Sequence, residues 1–237
     1  MPNWCYNTLT VDAKYKDMII NDKNEVDFNL AVPMPDSLHI ESGSKTHTGL
    51  FAYISEKLTI TDTATLVKKY ADLYAKGGRS LSQFCAILSD KNDMKSNDRI
   101  KQNLIDRLSS YVNNTQDTDR MEEMYEYGKK IAYNIENYGA PDWYDWANEH
   151  WGTKWNASTN NVDISDTTIC ANFDTAWCPP MEWLEALAEK GIAFDLHWQV
   201  ECECAGDISS DGDGSIEESE SEVEDDEYYD EEDDEDE

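Results

Sequence analysis

The sequence is short of positive charge. Against 51 Asp and Glu it has 19 Lys and Arg, a formal net charge of −32 at pH 7, and no Lys or Arg occurs from Asp207 to the C-terminus. The residues before Asp207 are also acidic on balance. Such a field repels nucleic acid and anionic membrane and attracts basic proteins. No run approaches the ~20 apolar residues that span a bilayer. The opening MPNWCYNTL has neither the basic flank nor the apolar stretch of a signal peptide. These absences predict a soluble cytoplasmic protein without a membrane partner, its six cysteines reduced. Catalytic signatures are missing too: there is no nucleophile-elbow serine, phosphate loop, dinucleotide glycine motif or zincin motif. Gly77–Gly78 reads as a helix stop.

What is present is concentrated in Trp143–Trp177, where Trp143, Trp146, Trp151, Trp155 and Trp177 supply five of the eight tryptophans. The apolar period changes there from helical to strand-like. The reading is a buried junction whose rings hold a helical part and a sheet part in a fixed relation.

Period-two alternation marks Cys5–Val11, Asn161–Ile164, Thr167–Thr175 and, most cleanly, Ile192–Glu201 as strands. Ser165–Asp166 is a turn between the middle two. A short helical segment is expected near Tyr15–Ile20, and Pro33 and Pro35 force extended backbone after it. Residues 46–138 read as helical. One helix is capped by Thr61 or Asp62 and carries Leu66, Val67, Tyr70, Leu73 and Tyr74 on one face. A second runs through Leu81, Phe84, Cys85 and Leu88, and a third through Ile100, Leu104, Leu108 and Tyr111 or Val112. The fourth runs from Thr118 to Gly139. Pro141 and Asp142 start a short helix ending near Gly152, and Pro179–Pro180 opens another through Trp183, Leu184 and Leu187. The order strand, helices, strand, strand, helix, strand predicts an α+β fold: a ferredoxin-like antiparallel sheet, or split βαβ, with a large helical insertion at about 46–138 in its first crossover. Residues 1–206 form that domain. Residues 207–237 are an edge hairpin running into an acidic tail, expected to be disordered beyond about Glu217 for want of apolar surface.

PNWCYNTL, FNLAVPMP, WGTKWNA and FDTAWCPP, at Pro2–Leu9, Phe28–Pro35, Trp151–Ala157 and Phe173–Pro180, occur in an order that resembles the YubB-type ferredoxin-like family of plasmids and phages. The resemblance implies the same α+β fold and a mobile-element setting. It implies no activity and no catalytic residues, and the name refers to topology rather than an iron–sulfur cluster.

Candidate chemistry is sparse. Cys170, Cys178, Cys202, Cys204 and His197 invite a metal reading, but the one-residue spacing of Cys202 and Cys204 is wrong for structural zinc, so buried or edge thiols are expected. Ser209–Glu220 matches a calcium loop at several positions yet has Ser209 where an Asp belongs, and a hairpin turn is the simpler reading. His150, beside Glu149, reads as structural. On the open sheet face the candidates are Tyr6, Asp195, His197 and Glu201. In the tail they are Glu224, Asp225, Asp226, Glu227, Asp230, Glu231, Glu232, Asp233 and Asp234.

No cofactor and no metal are expected. The expected function is non-enzymatic. It is an accessory protein that binds a host protein with a basic surface, its tail acting as a nucleic-acid mimic in counter-defence or as a solubiliser. Two other classes stand beside it: an enzyme using His197 and Asp195, and a nucleic-acid-binding module stacking bases on Tyr6, which the negative charge disfavours.

Overall fold

A computed structural model describes residues 3–57, 59–60, 62–79, 118–200 and 204–222. The expected second and third helices, Cys85, Glu201, Cys202 and the tail candidates from Glu224 to Asp234 lie outside these residues. The chain divides into two units, Met1–Val32 with Trp151–Glu237, and Pro33–His150.

In the first unit, alternation along β1 (Trp4–Asp12) sends Cys5, Asn7, Leu9 and Val11 inward and Tyr6 and Thr8 outward. An apolar period of two suits a strand covered on one face. β1 pairs antiparallel with both β3 (Thr168–Ala176) and β4 (Ala193–Val200). β2 (Ser158–Ile164) forms a hairpin with β3 through the expected Ser165–Asp166 turn, where Ser165 Oγ accepts from Thr168 N at 2.9 Å. Beyond β4 come β5 (Cys204–Asp211) and β6 (Glu217–Glu222), giving the order β2-β3-β1-β4-β5-β6. The first four strands have the ferredoxin-like arrangement.

The inner face is closed by short helices. α1 (Lys16–Ile19) and α2 (Phe28–Ala31) follow β1. α2 occupies a stretch where only extended backbone was expected. Asp27 caps it by accepting from Asn29 N at 3.0 Å, and it stops before Pro33. Its Phe28 is fully buried, with ring centroids 4.6 Å from Trp183, 5.7 Å from Trp151 and 6.0 Å from Phe173. Trp183, Leu184 and Leu187 line the buried face of the crossover helix, Met181–Glu189.

The expectation of disorder beyond Glu217 is corrected by β6, which reaches Glu222. Its ladder to β5 pairs one edge of its backbone and orders it without an apolar run of its own. Gly206 of β5 is needed for close approach: a Cβ there would lie 2.2 Å from Ser219 O and 2.9 Å from Trp198 Nε1.

In the second unit, α3 (Ser44–Ile54), α4 (Thr63–Lys76), α5 (Thr118–Tyr138) and α6 (Trp143–His150) are the described longer helices. Asp62 caps α4 as expected, accepting from Thr65 N at 2.9 Å. Leu66, Tyr70, Leu73 and Tyr74 of α4 pack with Leu50, Phe51 and Ile54 of α3 and Ile131 and Ile135 of α5. The Ser44–Ile54 helix has no separate signal in the sequence pattern. Its crossing with α5 is set by Gly49 and Gly128, since a Cβ on Gly128 would lie 1.9 Å from Gly49 O.

Phe28→Ala should destabilise the protein by about 3–5 kcal/mol through the cavity it leaves. Leu30→Ala, on the exposed side of α2, should change stability by no more than about 0.5 kcal/mol. Urea midpoints at constant m check both values.

Candidate functional site

The open face of the sheet is assembled from cross-strand rows. One row runs Asp163, Cys170, Thr10, Asp195, Ser209 and Glu217 from β2 to β6. The next runs Asn161, Asn172, Thr8, His197, Asp207 and Ser219, and a third contains Ser158, Asp174, Tyr6, Gln199 and Ala205. Each carboxylate is opposed by a hydroxyl, amide, thiol, phenol or imidazole, and in these rows never by another carboxylate. Like charges directly opposite would destabilise the ladder, so the spacing lets an acidic face form without strand repulsion. None of the six strands contains a Lys or Arg.

His197 and Asp195 share this face, but the pairing differs from the sequence-based assignment. His197 Nδ1 lies 2.9 Å from Asp207 Oδ1, across the β4–β5 ladder. Asp195 is instead flanked by Thr10 and Ser209. In the sequence alone Asp207 reads as the start of the tail. Its role becomes visible once β5 is paired. A histidine held by a carboxylate is half of an acid–base arrangement. The hydroxyl beside it in the row, on Thr8, donates to Asn172 Oδ1 at 2.9 Å rather than to the imidazole. Both His197 and Asp207 are exposed, so the row lacks the water-excluded, base-linked nucleophile of a hydrolytic site.

Tyr6 is 47% exposed on the same face. Trp4, two residues before Tyr6 on β1, packs on Trp155, their ring centroids 6.2 Å apart. Trp177 follows β3 with a φ of 77° and stays exposed, its N–H held 3.0 Å from Asn3 O. The aromatic-rich stretch therefore divides between the units: Trp143 and Trp146 belong to the helical one, and Trp151, Trp155 and Trp177 to the sheet.

Among the described residues, Cys178 and Cys204 lie within electrostatic reach of Cys5. Cys5 points to the buried face, and burial pushes its thiol up to about 12. Cys170 lies in an outer-face row, and Cys178 Sγ donates to Gly152 O at 3.3 Å. No group of three His, Cys, Asp or Glu suited to a metal occurs among the described residues. Within Ser209–Glu220, Asp213 Oδ1 accepts from Ser215 N at 2.9 Å and Ser215 Oγ at 2.7 Å, which closes the β5–β6 hairpin turn.

A second concentration of charge lies in the helical unit and went unnoticed in the sequence. Asp142 caps α6, accepting from Tyr144 N at 3.1 Å, and takes a hydrogen bond from Thr46 Oγ1 at 3.1 Å. It is 2% exposed, and its burial raises its carboxyl against those hydrogen bonds. Asp145, one turn on and 8% exposed, is pushed up to about 7, chiefly by burial, then by Asp142, with Arg79 opposing. Arg79 pairs with Glu149, and neither its Nη1 nor its Nη2 makes a well-aligned hydrogen bond among the described residues. His150 stacks on Trp146 at 4.3 Å, and burial lowers its basicity. Arg79, Glu149 and His150 open onto a shallow cleft of about 620 Å³. The expected structural role for His150 matches this packing.

Residues 151–237 match a family model described as a ferredoxin-like domain in Api92-like protein. No curated protein matches the chain. Among solved structures, protein api92 from Yersinia pseudotuberculosis is 12% identical, with a TM-score of 0.41 over 94% of this chain and 99% of that one. A likeness of that size carries no argument about this chain.

Asp145 gives the helical unit a defined pH dependence. Its folded-state value of about 7 lies above the ordinary 3.8, so between those values the folded state holds a proton that the unfolded chain releases. The stability contributed by that proton is present below pH 3.8, falls as the pH rises and is gone above about 7. Asp145→Asn should raise the Tm at pH 8 by at least about 3 °C, the shift ~1 kcal/mol produces in a chain of this size. The gain should shrink towards pH 4. Thermal melts of both proteins across pH 4–8 measure it.

Proposed function

We propose that this protein is a non-enzymatic binding module for a basic protein surface, which it meets with the open face of its sheet. One observation carries the reading: the outward rows hold Asp163, Asp174, Asp195, Asp207 and Glu217, and none of the six described strands supplies a Lys or Arg. A six-stranded polar face of this kind offers a basic partner many exposed acceptors at fixed spacing. It steers encounter and selects partner sign more than it adds affinity. The same charge opposes a nucleic-acid backbone, which the RNA-binding use of a ferredoxin-like sheet must neutralise. The acidic tail extends the field in sequence. In the mobile-element setting that the family resemblance implies, the partner is a host protein, and occupation of its basic groove would serve counter-defence.

The sheet and the tail are separable experimentally. A truncation at Asp207 would remove most of β5 and all of β6, so the tail is tested by ending the chain after Glu222. A fluorescent peptide rich in Lys and Arg should bind the full chain at low salt and release as salt screens the charges. Asp195→Asn with Asp207→Asn should weaken that binding about fivefold, ~1 kcal/mol for two exposed charges. The truncation should slow association. Unchanged affinity in the double variant, or equal retention of an oligonucleotide at the same salt, would reject the sheet as a basic-protein site.

A further inference from the structure

The outer face is not chemically uniform. At one end, Trp4 and Tyr6 stand two residues apart on β1 and so project from the same side. Tyr6 is 47% exposed and Trp155, which packs on Trp4, is 41% exposed. The cross-strand neighbours of Tyr6 are Asp174 and Gln199. Asp174 Oδ1 accepts from Asn160 Nδ2 at 2.7 Å, which fixes the carboxylate beside the ring. The ammonium of Lys154 already lies 3.9 Å from the centroid of Trp155. Trp155 therefore accepts a cation within the chain itself.

Exposed aromatic area next to a fixed carboxylate selects among cations. A guanidinium is planar and weakly hydrated, so it stacks on a ring while giving two parallel hydrogen bonds to a carboxylate. An ammonium is a strongly hydrated point charge that gains less from the ring. A nucleobase would find the same rings, but its phosphates would meet Asp174 and the neighbouring acidic rows.

We propose that the Tyr6 end of the outer sheet face is an arginine anchor, in which a partner's guanidinium stacks on Tyr6 and pairs with Asp174. This inference rests on the basic-protein reading above and names the side chain that the face selects.

Two labelled peptides of equal length and charge, one with Arg and one with Lys at every basic position, are titrated against the full chain at low salt. The Arg peptide should bind about three- to fivefold more tightly, the gain of an exposed cation–ring contact. Tyr6→Ala should bring the two affinities together. Tyr6→Phe, which keeps the ring, should preserve the difference, and Asp174→Asn should reduce it. Melting curves of the variants confirm that each is folded. Equal binding of the two peptides by the unaltered chain, or an Arg preference that survives Tyr6→Ala, overturns the anchor. The basic-protein reading would still stand if Asp195→Asn with Asp207→Asn weakened both peptides. Failure of both peptides to bind overturns both ideas, as would retention of a single-stranded oligonucleotide that Tyr6→Ala abolishes.

Discussion

The two-residue period of β1 is the constraint on which the sheet unit depends. β1 is paired on both sides, so its register with β3 and β4 decides what faces inward along three strands at once. A slip of one residue would carry Thr8 and Tyr6 towards Phe28 and Trp183, and Leu9 and Val11 into water. Burial of the Cys5–Val11 alternation, with Phe173, Leu196 and Trp198 beside it, holds the register. The acidic outer face is its consequence. Asp163, Asp174, Asp195 and Asp207 are outward because the apolar residues alternating with them are inward.

The same register manages the charge. Carboxylates facing one another across a ladder repel at close range, and here hydroxyls, amides and one imidazole stand between them. Extension of the ferredoxin-like core by β5 and β6 widens the face without adding a cation. The edge strand β6 is strongly acidic in sequence, and charge on an exposed edge discourages pairing with another copy. Edge protection and recognition of a basic partner are compatible uses of the same composition.

The helical unit follows a different logic. Its described core is an interlock of α3, α4 and α5, with Gly49 and Gly128 allowing two backbones to approach. Its least comfortable groups are Asp142, Asp145 and Arg79, removed from water near the cap of α6. Asp142 offsets part of its burial through Thr46 and the backbone of α6. Burial and the neighbouring Asp142 keep Asp145 raised against the opposing charge of Arg79. A raised buried carboxyl is a common mark of functional sites and also of structural charge networks. The shallow cleft beside it is one place in the helical unit where ionisable groups gather.

Much of the fold was legible in the amino-acid order, because its signals are local and periodic. Alternation located β1, β3 and β4; Asp62 marked the start of α4; Pro180 and Gly191 bracketed the crossover helix. The element order, with the strands it implied, was enough for the ferredoxin-like arrangement. The sign of the molecule's field also follows from composition alone. Tertiary structure decided what depends on residues distant in sequence. Asp195 is nearer to His197 along the chain, yet Asp207 meets it, because directly opposed residues in adjacent strands lie closer than residues two apart on one strand. Phe28 sits in a stretch that reads as extended next to two prolines, yet a one-turn helix places its ring among Trp151, Phe173 and Trp183. Local preference there yields to burial of a large apolar ring. Asp145 looks in sequence like any acidic residue on a short helix, and its raised carboxyl arises only when the fold removes it from water beside Asp142.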